Sequence, residues 1–440
     1  MKFYDIDTHY FPEDCYANLP EPYKSLVPQY KWKHYTEKPD WWDRTYGDDV
    51  ETLGDSVETT RANKYDWKNP LLCDENGYHD IDIFPGGKSK YLPAVKEGLA
   101  RKLIFNKEFG GPFRGDINYS LEASRNLEKR SEIMDQLGIE KNILAPYHYI
   151  LGLNYRIDKN LALVMAKSYN DTITRDCKNN NRYWPLAWLP MQNQNMSENI
   201  ALMESALSND AVGVNIGEFF TYPDNNLGRS WGLCEWMEPF WAHANENQYP
   251  IFWHVLDCWY DSRSWMKLHD AEIINQWANT NKKLLKLISM YNNKNYLSNT
   301  GVGPNHKTDF GLSELSFASF ITEGILDKYP NLRLVCCEKG IHWVMPVIET
   351  ISEFLGRDCS HYLKNWSFTT EPEAENFEKD ADRIGYDRLL FATDYPHMDL
   401  GGRGREKDIE LILGLSTTDL NKEKIANLNA TKLFNKTNFC

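Results

Sequence analysis

No run of apolar residues in this chain approaches the roughly eighteen that a membrane-spanning helix requires. The richest stretch, Tyr249 to Tyr260, is broken by His254 and Asp257, so the bilayer is not an expected partner. Basic residues are in the minority, with 49 Lys and Arg against 63 Asp and Glu and a formal charge of −14. Neutralising a polyanion takes a basic face, so nucleic acid is not expected as a partner either. The N-terminus carries acids at positions 5 and 7, where an export signal has a basic end and an apolar centre, and a cytoplasmic location is expected. Nine cysteines, an odd number with no CxxC spacing, read as reduced thiols and not as a disulfide framework. Internal repeats and low-complexity tracts are missing as well.

What is present is a 440-residue chain, 42% hydrophobic, long enough for one large α/β domain with insertions or for two ordinary domains. Its 15 Trp, 25 Tyr and 19 Phe are mostly accounted for by core and subunit contacts, and some are available to line a pocket for a flat ligand. Short apolar segments that end in polar residues recur at Phe3 to Asp7, Asn142 to Pro146, Trp184 to Pro190, Val212 to Gly217, Pro250 to His254, Leu332 to Glu338, Asn365 to Thr369 and Arg388 to Asp394. Stretches with helical spacing lie between them, at 161–176, 197–207, 233–247, 313–327, 343–355 and 373–384. Eight strands alternating with helices predict a (β/α)8 TIM barrel, whose active groups gather at the carboxyl ends of the strands, where these polar residues fall. An open parallel sheet is the main competitor, but it has no need of a return strand as late as residue 388. The gap between the first two strands, residues 11–141, is far longer than an ordinary βα connection. One barrel domain over 1–440 is therefore expected, with an insertion at 11–119 that roofs the pocket and a second at 256–305, after the fifth strand.

The opening DIDTHYFP sets Asp5, Asp7 and His9 at alternate positions, and in a strand such residues can share a face, about 6 to 7 Å apart for each step of two. A carboxylate and an imidazole together suit a divalent ion. Alone, an Asp-x-His triplet is weak evidence, and a surface strand carrying it by chance is as good a reading. His254 closes the apolar run PIFWH, however, and Asp394 closes RLLFATD. An ion at a barrel mouth collects ligands from several strand ends, here the first, fifth and eighth. A carboxylate ending an apolar strand is costly to desolvate without a cation beside it. The competing readings are a partner arginine for Asp394 and an ordinary core role for His254.

Asp5, Asp7, His9 and Pro12, then His254, Glu338-Lys339-Gly340 with Trp343, and TDYPH at 393–397 together resemble the amidohydrolase superfamily, in its branch related to aminocarboxymuconate-semialdehyde decarboxylase. Met134-Asp135 with Gly138-Ile139, SYNDTI at 168–173, WLP at 188–190, GVNIGE at 213–218 and NATKLF at 429–434 agree in order and spacing. The resemblance covers residues 1–10 and 120–440 and leaves 11–119 unexplained. It implies one divalent metal ion, Zn or Mn, held by Asp7, His9, His254 and Asp394, and it implies a homodimer. Two positions depart from the usual pattern. Asp7 stands where many members have His, an exchange that some decarboxylases of the branch share, and Glu338 stands where the sixth strand commonly ends in a catalytic His.

The expected substrate is a small molecule, carboxylated and cyclic or aromatic. For decarboxylation, Asp394 or Glu338 would protonate the ring carbon so that CO2 can leave; for hydrolysis, Asp394 would accept a proton from water while Glu338 positions the substrate. His397, after the Tyr-Pro turn, either hydrogen-bonds substrate or Asp394 or points to solvent. His148, Asp257, His306 and His342 follow predicted strands and read as bystanders. Trp188, Trp253 and Trp343 adjoin strand ends, where a tryptophan can stack on a ring, but Trp253 should point away from His254 into the barrel wall. Decarboxylation is the preferred reaction, and hydrolysis of an amide, lactone or carbon–carbon bond is the alternative. A non-catalytic barrel kept as a binding module is the rival of another class, against which the survival of all four candidate ligands speaks.

Overall fold

Apolar runs of two to six residues, too short for helices, form eight parallel strands, each hydrogen-bonded to the next in chain order. They are β1 (Phe3–Asp5), β2 (Ile139–Leu144), β3 (Tyr183–Trp188), β4 (Gly213–Asn215), β5 (Pro250–His254), β6 (Arg333–Cys337), β7 (Trp366–Thr369) and β8 (Leu389–Leu390). The structure, a computed structural model, describes residues 1–10, 126–146, 159–190, 193–216, 234–254, 312–337, 339–370, 376–395 and 405–434, with shorter pieces within 12–33, 71–73, 223–230, 286–291 and at 372. Past the end of β8 the chain returns to β1: Ile6 N–H donates to Phe391 O at 2.9 Å, His9 N–H donates to Tyr395 O at 2.7 Å, and Thr8 and Tyr395 form a parallel bridge. With helices between the strands, this is a nearly closed (β/α)8 TIM barrel.

Helices α1 (Leu127–Leu137), α2 (Lys159–Cys177), α3 (Met196–Ser208), α4 (Glu238–Asn247), α5 (Leu312–Thr322), α6 (Ile325–Lys328), α7 (Val344–Leu355) and α8 (Phe377–Ile384) fill the connections. After β8 come α9 (Arg405–Gly414), α10 (Asp419–Glu423) and α11 (Asn429–Leu433). Periodicity explains the longer ones: α7 buries Val344, Val347, Ile348 and Ile351, the i, i+3, i+4, i+7 stripe of a helix lying on a sheet. Gly324, in the left-handed region, breaks the helix expected over 313–327 into α5 and α6. Helix α1 falls inside the stretch expected to be one long connection; its buried residues are Arg130 and Met134, so it lacks the apolar stripe that announces a helix. At β4, a Cβ on Gly213 would lie 2.7 Å from Pro250 O, so glycine is what lets this strand start beside β5.

Two cores result. Inside the barrel, Ile6, Ile143, Leu186, Phe252, Val335 and Leu390 pack together, and Leu433 and Phe434 join them, with Phe434 stacked on Phe252 at a ring separation of 5.9 Å. Outside, an aromatic layer between strands and helices is centred on Trp366, which meets Phe317 at 4.7 Å, Phe320 at 5.4 Å and Trp253 at 5.9 Å. Trp188, Trp253 and Trp343 are all buried in this outer layer; strand alternation turns Trp188 and Trp253 there, and Trp343 reaches it from the turn that caps α7. The insertions at 11–119 and 256–305 lie largely outside the described residues; within the first, Lys31–Lys33 pairs antiparallel with Leu71–Cys73. Among the described residues no helix is long and apolar enough to cross a membrane.

Candidate metal centre

Regular pairing of β1 stops at Asp5, and beyond it the chain is held by the isolated bridges Thr8 to Tyr395 and His9 to Ala145 and by the separate backbone hydrogen bonds that flank them. The irregularity separates the three residues expected on one face. Asp5 turns to the end of β8, where its carboxylate accepts from Thr393 N–H at 2.9 Å and Thr393 Oγ1–H at 2.6 Å. Asp7 and His9 instead face the carboxyl end of the barrel. His254 ends β5 on the interior side, two residues past Phe252, and Asp394 follows β8 with φ of 53°. One ligand atom from each of Asp7, His9, His254 and Asp394 lies within 4.8 Å of the others. His9 Nε2 is 3.0 Å from Asp394 Oδ1, His254 Nε2 is 3.6 Å from Asp7 Oδ1, and the two imidazoles meet edge to face at 4.9 Å.

Three of the four are fully buried, whereas the Asp394 side chain keeps 14% of its surface open. Burial lowers the pKa of His9 to about 3, against the opposing pull of its Pro146 hydrogen bond and with a smaller push from Arg130. The ring is therefore neutral, and with Nδ1–H donating to Pro146 O at 3.3 Å its free lone pair is on Nε2, toward Asp394. Burial also raises the Asp7 carboxyl well above the ordinary range, helped by Asp394 and Asp5 and opposed by a hydrogen bond from the Cys337 thiol. Among the described residues, neither Asp7 oxygen accepts an N–H or O–H hydrogen bond.

These observations fit a cation. Asp7 lies within electrostatic reach of Asp5 and Asp394, and the one buried guanidinium among the described residues, that of Arg130, acts on Asp5. Fully ionised, the group carries two negative charges in excess, which one divalent ion neutralises. Two carboxylate oxygens and two imidazole nitrogens suit Zn or Mn alike.

Glu338, His397, His148, Asp257 and His306 lie outside the described residues. His342 sits half-buried in the turn before α7 and is not in the four-residue group. Sequence reading missed Arg130, Thr393 and Cys337. Arg130 had a signal, a charge one helical turn before Met134 on what proves to be the buried face.

A family model described as amidohydrolase matches residues 159–436, a span that contains His254 and Asp394 and leaves Asp7 and His9 outside. No curated protein matches the chain in sequence. Among solved structures, an amidohydrolase from Mycobacterium avium subsp. paratuberculosis is similar over 98% of this chain and 99% of its own, with a TM-score of 0.58 and 16% identity. The 2,6-dihydroxybenzoate decarboxylase from Rhizobium is similar over 70% of this chain and 88% of its own, with a TM-score of 0.51 and 20% identity. The 5-carboxyvanillate decarboxylase from Novosphingobium aromaticivorans, complexed with manganese, is similar over 72% and 83%, with a TM-score of 0.52 and 20% identity.

Proposed function

Because the chain belongs to the amidohydrolase family, we propose that it is a metal-dependent decarboxylase that releases CO2 from a small carboxylated aromatic or cyclic compound. The observation that carries this reading is the buried group of two carboxylates and two imidazoles at the carboxyl end of the barrel. Asp7, His9, His254 and Asp394 would hold one Zn or Mn ion. Bound there, the ion would supply Lewis acidity toward the substrate's carboxylate and a neighbouring oxygen.

The side chains supply the rest. Asp394 alone among the four keeps part of its surface open, which sets it on the substrate side. Its carboxyl group can hand a proton to the ring carbon that bears the departing carboxylate. A C–H bond forms, the C–C bond to the carboxylate breaks and its electron pair stays with the ring, and CO2 leaves. His9, neutral and pinned through Nδ1, keeps one orientation throughout. Glu338, the residue after β6 in sequence, would orient the substrate, and His397 would hydrogen-bond the substrate or Asp394. That two barrels of the same shape are decarboxylases of substituted benzoates supports this choice of reaction.

The family's own description favours a second reading, hydrolysis of an amide, lactone or carbon–carbon bond, in which Asp394 takes a proton from the attacking water and passes it to the leaving group. Purified protein loaded with Mn2+ or Zn2+ should be offered hydroxylated benzoates beside amide and lactone panels, with CO2 and acid release followed. CO2 release that disappears in His254→Ala is the expected result. Products that keep their carboxylate overturn decarboxylation in favour of hydrolysis, and absence of stoichiometric metal overturns both in favour of a binding module.

A further inference from the structure

We infer that Arg130, on α1, is a positioning residue that holds the ligand-bearing ends of the first and eighth strands at one spacing. The inference rests on the metal-centre reading above for its consequence, though not for its geometry. Arg130 is 1% exposed. Its Nη2 donates to the main-chain carbonyl of His9 at 2.5 Å, and its Nη1 donates to Thr8 Oγ1 and to Asn142 Oδ1, each at 3.0 Å. Thr8 lies between Asp7 and His9, and its hydroxyl also reaches Ile143 O and Asn142 Oδ1 on β2. The guanidinium carbon stands 4.8 Å from the ring centre of Tyr395, the residue after Asp394, and 5.7 Å from that of Tyr10, the residue after His9.

One side chain therefore touches the neighbours of three proposed ligands. The need for such a grip follows from the backbone: past Asp5 the regular ladder of β1 gives way to separate hydrogen bonds, Ile6 N–H to Phe391 O and His9 N–H to Tyr395 O toward β8, and Ala145 N–H to Thr8 O and Tyr10 N–H to Ala145 O toward β2. A side chain that ties this segment to both neighbours limits the shifts of fractions of an ångström that a coordination sphere does not tolerate. A planar fork reaches three acceptors on two strands at once while its face lies on an aromatic ring, which an ammonium cannot do. Burying a guanidinium where a leucine or methionine would pack is costly. Neutralising Asp5 would account for its charge but not for these three hydrogen bonds, which run to neutral acceptors, two on the ligand segment and one on β2.

The test uses the full chain with Mn2+ as probe, in the wild type, Arg130→Met, Arg130→Lys and Thr8→Val. Readouts are the Mn2+ dissociation constant, the electron paramagnetic resonance spectrum of the bound ion, and hydrogen exchange of the metal-free proteins. Arg130→Met should weaken Mn2+ binding by roughly 10- to 100-fold and broaden the spectrum. It should speed exchange at 5–10 and 391–395 together. Arg130→Lys should recover part of the affinity, and Thr8→Val, which removes one acceptor, should lose less than Arg130→Met. Asn429→Ala, remote from the site, serves as the control for a general loss of stability and should leave Mn2+ affinity alone. Should Arg130→Met fail to fold, the Lys and Val variants carry the same comparison. Wild-type affinity, spectrum and exchange in the Arg130 variants overturn the inference. If the wild type itself binds no Mn2+ while Arg130→Met still loosens both segments, the metal reading falls and the positioning role stands.

Discussion

At the scale of single residues, the backbone of Asp394 is the most telling feature. Its φ of 53° lies in the left-handed region, where a side chain with a Cβ is held at a cost on the order of 1–3 kcal/mol, tolerated best by Asn and Asp. That strain aims a carboxylate back across the barrel mouth at His9. Asp394→Asn keeps a residue that accepts this conformation, so the variant should fold with little change in melting temperature. It removes the acid, so turnover should fall by about 10²- to 10⁴-fold, which steady-state assay beside thermal unfolding will show.

Proton balance follows from the same neighbourhood. His9 is already neutral, while Asp7 has its carboxyl raised by burial and by Asp394 and Asp5. Metal uptake should therefore displace a proton from the Asp7 carboxyl at pH values below its raised pKa, and none from the imidazole. Calorimetry in two buffers of different ionisation enthalpy measures it, and affinity should weaken as pH falls through the raised Asp7 value. In the metal-free protein the two groups act oppositely on stability. His9, lowered from 6.5 to about 3, leaves the folded chain with fewer protons than the unfolded one, so its contribution is lost as pH falls through that window. Asp7, raised from 3.8, contributes stability at low pH that is lost as pH rises through its folded value.

At the scale of elements, asparagine side chains latch helices to strand ends. Asn170 on α2 donates to Trp188 O at 3.1 Å and accepts from Trp188 N–H at 2.7 Å, closing the end of β3. Asn429 on α11 donates to Tyr386 O and Leu389 O at 2.7 and 2.8 Å, which seats the C-terminal helix beneath β8. Asn429→Ala deprives both carbonyls of this donor and should cost about 1–3 kcal/mol in urea unfolding.

Legibility in the sequence also divides by element. Strands β2 to β7 could be read from apolar runs closed by a polar residue, because a strand buried on both sides leaves no other pattern. Helix α1 could not, because its inward face bears a guanidinium that binds backbone and side-chain oxygens where leucines would be expected. Asp5 was misplaced for a related reason: side-chain alternation holds only while the ladder lasts, and it ends at that residue. The four candidate ligands were legible because each lies at or just beyond the carboxyl end of a strand. The insertions carry no periodicity tied to this chemistry.

At the scale of the whole molecule, the barrel is filled from one end and carries the candidate ligand cluster at the other. Phe434 stacks on Phe252 and also meets Trp184 at 4.9 Å, closing the end opposite the ligand cluster. Phe434→Ala should cost on the order of 3–5 kcal/mol in urea unfolding, with Mn2+ affinity unchanged, since stability is concentrated at the floor of such barrels and chemistry at their rim.

The seam between β1 and β8 joins residues from opposite regions of the polypeptide, and the four proposed ligands straddle it. A nascent chain therefore displays its opening Asp-x-His pair long before Asp394 has been synthesised. The four-residue set is complete only once Asp394 has been made, so an ion held by all four would act as a late clasp across the seam.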